Sequence, residues 1–360
     1  MALREPNLPP VVPAPAELSG FVPDDGPGSV SQGSSIGRFV RIAAGLLLVV
    51  AFVPQLPSVA AVCALIVGIL MIGWELGPAR VVRTIGIPDP VLWLSVAWLA
   101  LVLLSATFAS VLPLAEARSP ARALTEPILA SPDLFSRHPL GTDRQGLDVL
   151  GGIIYGARVS LIVGFGAAVI GVAAGGTLGV VAGYLRGRVD YVAGLLNDAL
   201  LAFPPLILLL ALAAVLDPNV RNTALALGVL SVPTFFRLAR ANAIAFSQRD
   251  FVLASHAVGA TGARTLRREI VPNVLLSVMS YAFIMVAVLI VAEASLSYLG
   301  LGIQRPQPTW GNMISAGQTD FDEHAHLVFA PGLVLFLTVL SLNRLGDHLR
   351  RRLDTRSEKL

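Results

Sequence analysis

Amide and charged side chains are rare in the apolar stretches of this chain, and where they occur they limit what it can do. The run "GLLNDALLAFPPL", 194–206, carries Asn197 and Asp198, and "VAEASLSYLG", 291–300, carries Glu293. A charge among hydrocarbon is costly unless it meets water, a counter-ion or a hydrogen-bond donor. Such residues therefore line a polar path or pair with an arginine or a backbone group and hold helices together. A second group, "TDFDEHAH", 319–326, gathers Asp320, Asp322, Glu323, His324 and His326. These are ligand types for a transition metal, or else the makings of a solvated acidic loop. Lys359 is the only lysine, so no GxxxxGK[ST] phosphate loop can exist in the chain. No nucleophile, base and oxyanion-donor set is recognisable either.

The elements that must position these residues are membrane helices. Hydrophobic residues make up 55% of the 360 and charged residues 14%, with mean hydropathy +0.74, against about 25% charged in a soluble domain. A helix needs about 20 apolar residues to cross the hydrocarbon, and six runs meet that length: 91–112, 159–185, 191–216, 222–243, 274–299 and 326–345. A further run, 42–74, is broken by "PQLP" at 54–57 and reads as two short helices in a hairpin. The expected fold is thus an all-α polytopic bundle of about eight spans. It divides into a disordered, proline-rich tail over 1–38, an extra hairpin and linker over 39–90, a six-helix core over 91–345 and a basic tail over 346–360. Pro204 and Pro205, mid-span, should kink the third core helix. The single cysteine, Cys63, leaves no disulfide to be made within the chain.

Basic residues set the orientation, because they accumulate on the cytoplasmic side. With a hairpin and both termini inside, nineteen of the 26 Lys and Arg residues fall in cytoplasmic segments and seven outside. That arrangement puts 250–273 in the cytoplasm. The segment reads "DFVLASHAVGATGARTLRREIVPN". Phe251, Val252, Ala254, Ser255 and Val258 give a short helix a small apolar face, Gly259 and Gly262 permit a sharp turn, and "ARTLRREI" makes a second short helix ended by Pro272. On residue types alone the segment is either a rigid knob that docks in a partner's groove or an amphipathic loop on the lipid headgroups.

Ala254, Gly259, Ile270, Pro272 and Asn273 resemble the alanine, glycine and Ile…Pro-Asn-like exit of the "EAA" loop of permease subunits in ATP-binding cassette (ABC) importers. The segment resembles that loop, with Leu253 in place of its glutamate and Ser255 in place of its second alanine. "HPLGTDRQGLDVLGGIIYGARVSL", 138–161, and "AEASLSYLGLGIQRPQPTWGNMI", 292–314, are similar to segments of the dipeptide, oligopeptide and nickel C-type permeases. In the first, Gly141, Gly146 and Gly151 fit a helix lying at the interface before the chain re-enters at Ser160, or a glycine-rich connecting loop. In the second, "LGLG" at 299–302 ends a helix, and Tyr298 and Trp310 read as headgroup-zone anchors.

The resemblance implies a type I ABC importer fold working by alternating access. It implies a second homologous permease, two ATPase subunits that use ATP and Mg, and an external substrate-binding protein, with no cofactor held by this chain. Peptides are the implied substrate; nickel or another small solute is the alternative within the family, and a self-contained carrier or membrane enzyme the alternative outside it. Candidate coupling residues are Asp250, Phe251, Leu253, Ala254, Ser255, His256, Gly259, Ala260, Arg264, Ile270, Pro272 and Asn273. Candidates for the translocation path are Asn197, Asp198, Pro204, Glu293 and Ser297.

Overall fold

The computed structural model describes residues 90–357. The expected tail over 1–38 and hairpin over 42–74 lie outside the described residues. The chain runs through α1 (Pro90–Phe108), a long irregular segment over 109–148, α2 (Val149–Gly171), a π turn (Val172–Gly176), α3 (Thr177–Leu185), α4 (Gly187–Leu201), α5 (Pro205–Val215) and α6 (Val220–Phe246). There follow α7 (Asp250–Ala257), α8 (Gly262–Thr265), a second π turn (Leu266–Ile270), α9 (Val271–Tyr298), α10 (Trp310–Gly317) and α11 (His326–Ser357). Among these residues five helices are long and apolar enough to cross a membrane, and α4 with α5, bent by 84°, meets the same measure only when the pair is taken together. The bend falls at Pro204–Pro205, as the two prolines dictate, since neither can donate to the helix ladder.

Several spans are longer than their apolar runs. The second begins at Val149 rather than 159, because Asp148 caps it: its Oδ2 accepts the Gly151 N–H at 2.7 Å. Residues 149–158 are therefore the first turns of the membrane helix and not a separate interfacial helix. The fifth runs unbroken from Gly262 through Pro272 to Tyr298. Pro272 does not end the preceding helix, because the wider π turn just before it absorbs the missing N–H and the clash with the carbonyl four residues back. The last helix also continues past 345 to Ser357, so the basic tail is helical over 346–357.

The core is built on the contact of α2–α3 with α6. Gly171, Gly175, Gly179 and Gly183 recur every fourth residue, and a Cβ on Gly175, Gly179 or Gly183 would collide with the backbone carbonyl of Val232, Phe236 or Arg240. Small residues at this spacing let helix backbones meet within the membrane, where van der Waals contact drives association. Residue numbers rise together along the two helices, so they run parallel. Residues 187–219 must therefore carry the chain back to the other end of the bundle. Phe235, Leu227, Val163 and Ile290 are fully buried around this contact, and Phe235 meets Tyr281 of α9 edge to face, centroids 6.3 Å apart.

At one end of the bundle the segments 109–148 and 299–325 fold together. Trp310, expected as a headgroup anchor, is instead 0% exposed, and its Nε1 donates to the Ile153 carbonyl at 3.1 Å. Tyr298 stays partly exposed and donates from its hydroxyl to Gln318 Oε1 at 2.7 Å. Gly300, at φ 76°, closes α9 as the helix-ending glycine expected there. In the acidic cluster, Asp320 pairs with Arg144 at 2.6 Å. Among the described residues no three His, Cys, Asp or Glu side chains converge as a metal site.

Candidate coupling loop and polar groove

The segment 247–273 lies at the opposite end, between α6 and α9. Helix α7 ends in two hydrogen bonds, Gly259 N–H to His256 O (2.9 Å) and Ala260 N–H to Ser255 O (3.1 Å), with Gly259 at φ 86°. This is a Schellman closure, which needs a residue in the left-handed region at the position Gly259 fills. Nothing lies within 4 Å of where a Gly259 Cβ would stand, so backbone conformation and not space requires the glycine.

Burial divides α7 into two faces. Val252 is 1% exposed and Phe251 packs beside it on the core, whereas Leu253 is 58% and Val258 90% exposed. The apolar face read from the sequence is thus split: Phe251 and Val252 seat the helix, and Val258 points away with Leu253. Ala254 and His256 share the outer side, with Arg264, while Asp250 begins the helix. Thr265 and Ile270, both 0% exposed, root the second half of the loop, and Asn273 donates to the Glu269 carbonyl across the π turn at 2.6 Å. The loop is tied to the core by Tyr184 of α3, whose hydroxyl donates to the Gly262 carbonyl at 3.1 Å. Two residues on, Arg186 and Gly187 turn the chain into α4, both with positive φ (54° and 60°). The Arg186 guanidinium donates to Ser247 Oγ at 3.3 Å. Neither Tyr184 nor Arg186 carries a sequence signal of its own, because their partners lie 78 and 61 positions away.

From that turn α4 rises alongside α6, and the two enclose an open groove of about 390 Å³. Arg240 makes a two-pronged ion pair with Asp190, its Nη2 lying 2.6 Å from Oδ2. Deeper in, Arg237 meets Asp198 at 3.1 Å, with both side chains well exposed (62% and 69%). Asn197 beside them is 6% exposed, and its Oδ1 has no hydrogen-bond partner. Pro204 lies beyond, exposed, at the bend between α4 and α5.

Glu293 and Ser297 are elsewhere. Both are buried near the opposite end of the bundle, at 0% and 3% exposed. Ser160 of α2 and Ser297 each donate to one Glu293 oxygen at 2.7 Å, and Ser297 Oγ accepts the Ile303 N–H at 3.2 Å. They clasp α2 to α9 inside the subunit and face no open path. Nearby, His138 sits between two carboxylates, with Nδ1 3.1 Å from Asp148 and Nε2 3.0 Å from Glu126. Burial pushes the Asp148 carboxyl above its ordinary range, against the Gly151 N–H and His138, which pull it down.

A multi-pass bundle with a short, rooted helix presented between two of its spans is the build of a membrane component of a transport system. Residues 175–356 match the binding-protein-dependent transport system inner membrane component family, and the chain belongs to that family. It is 36% identical to a glutathione transport system permease protein of Pectobacterium atrosepticum, over 61% of this chain and 73% of that one. It is 37% identical to a dipeptide transport system permease protein of Alkalihalophilus pseudofirmus and to a di/tripeptide transport system permease protein of Pseudomonas aeruginosa. Each of these two matches spans 61% of this chain and 72% of the relative.

Proposed function

We infer that this chain is the membrane-spanning permease subunit of an ABC importer of small peptides, working with a second homologous permease, two ATPase subunits and an external binding protein. Family membership and the peptide permeases among its relatives support the substrate class. The observation that carries the mechanism is α7 itself, seated by Val252 and presenting Leu253 and Val258 to the outside. Exposed apolar side chains on a rooted helix suit a cleft in a partner. In this reading the loop and the C-terminal end of α11 lie in the cytoplasm, and the 109–148 and 299–325 segments outside. The ATPases bind ATP and Mg; the permease binds neither.

Closure of the ATPase pair moves α7. The Tyr184–Gly262 bond and the Arg186–Gly187 turn then pass that movement to α4, the broken arm whose bend at Pro204 lets it swing while α2, α3 and α6 stay locked by their glycine contact. Leu253 does the packing that a glutamate would do by charge. The test is purification of the full complex from its host with tagged wild-type chain or Leu253→Arg. ATPase subunits should accompany the wild type and be lost from the variant while the second permease is retained. A wild-type chain that elutes alone would sink the reading.

A further inference from the structure

We propose that the groove between α4 and α6 is a transit station for a zwitterionic di- or tripeptide, in which Arg237 takes the peptide carboxylate and Asp198, with Asn197, takes its α-ammonium. This rests on the reading of the chain as a peptide permease and adds the place and chemistry of contact. Asp198 lies eleven residues into α4, about 16 Å along it, in a helix pair apolar enough to cross a membrane. Charges within an apolar helix mark a solute route when they face a water-filled cleft, and this pair faces the open groove.

The two ion pairs are not equivalent. The Asp190–Arg240 pair is two-pronged and partly buried, and it holds α4 against α6. The Arg237–Asp198 pair is exposed and joined by one contact. Such pairs are weak in water and readily exchanged, so a solute bearing one charge of each sign can open this pair and replace both halves. Two aspartates and two arginines leave the lining with no net charge, which favours neither an anion nor a cation. The orphaned Asn197 Oδ1 is the second sign of a missing ligand. A buried acceptor without a donor is uncommon, and rotation about the soft terminal torsion of Asn197 would offer its oxygen to an ammonium.

The test uses the full complex in nanodiscs, with p-benzoylphenylalanine in place of Tyr191 on the groove wall and radiolabelled alanyl-alanine delivered by the binding protein under ATP turnover. Illumination should attach the peptide to this subunit, and acetylating the added peptide's amine or amidating its carboxylate should lower the yield at least about tenfold, the scale of one lost charged hydrogen bond. An adduct with phospholipid or with the second permease only would overturn the proposal. Asp198→Asn with Arg237→Gln should raise the KM for import about tenfold. Asn197→Leu should lower import without lowering the melting temperature, since it removes an unpaired buried acceptor. Wild-type import rates in both variants would equally refute the station. If the wild-type complex imports no peptide, the peptide-permease reading falls and takes the station with it; import without a peptide adduct removes the station alone.

Discussion

The two ends of the bundle handle polar groups in opposite ways. Around Glu293, His138 and Trp310 the most deeply buried polar side chains are held by partners at 2.7–3.1 Å, although His326 Nε2 at the same end is buried without one. Around α4 and α7 the Arg237–Asp198 pair is exposed, one buried oxygen is orphaned, two consecutive residues carry positive φ, and Leu253 and Val258 face outward. A fully satisfied buried network resists change, because losing one partner strands another. A loosely paired one can be rearranged at small cost. In the proposed mechanism the contrast separates a fixed end from a moving one, with the glycine contact of α2–α3 and α6 as the axis between them.

The axis should be the most sensitive point. Gly175→Leu drives a side chain into the Val232 carbonyl, and the expected loss, more than about 4 kcal/mol, should leave no folded subunit by size exclusion in detergent. A folded variant would show that α6 can move away, and the axis would no longer be fixed. Next, Trp310→Ala at the closed end should cost about 3–5 kcal/mol, seen as a lower thermal midpoint, with ATPase coupling in the surviving complex unchanged.

The pH response of the closed end sharpens the comparison further. Asp148 has a folded pKa above its ordinary 3.8. Its protonated form is the one the fold favours, so its contribution is complete below 3.8 and is lost as pH rises through the raised folded value. Asp148→Asn, with His138 and Glu126 unchanged beside it, should flatten that part of the stability profile. An unaltered slope would assign the pH response to another group.

At the moving end stability effects should be small and coupling effects large. Gly259→Ala must hold an L residue at φ 86° and should cost about 1 kcal/mol. Tyr184→Phe, which removes one hydrogen bond, should cost about 0.5–1.5 kcal/mol. Both should reduce import per ATP hydrolysed while the ATPases stay bound. Normal coupling in Tyr184→Phe would mean that the loop reaches α4 by another route.

Much of this was legible from residue order. The apolar runs located the five long described helices and the bent α4–α5 pair, and Pro204–Pro205 located the bend. The limits of α2 and α9 were not, because a capping Asp148 and a π turn before Pro272 act through backbone geometry that hydropathy does not register. The four glycines from 171 to 183 are visible as a GxxxG series, and that spacing was the available signal for the helix contact. Glu293 and Asp198 look alike in sequence, each a lone acid in an apolar run. One is sealed by Ser160 and Ser297, the other left in an open groove, and nothing local distinguishes them.

By itself the sequence determined the membrane class, the places of the long apolar helices and the presence of a polar loop between two of them, since hydropathy, proline and charge act over a few residues at a time. Which acid is buried, which face of α7 looks outward, and how Tyr184 meets Gly262 were decided only in the tertiary structure. Those outcomes depend on residues 39 to 133 positions apart, brought together when α2, α6 and α9 pack.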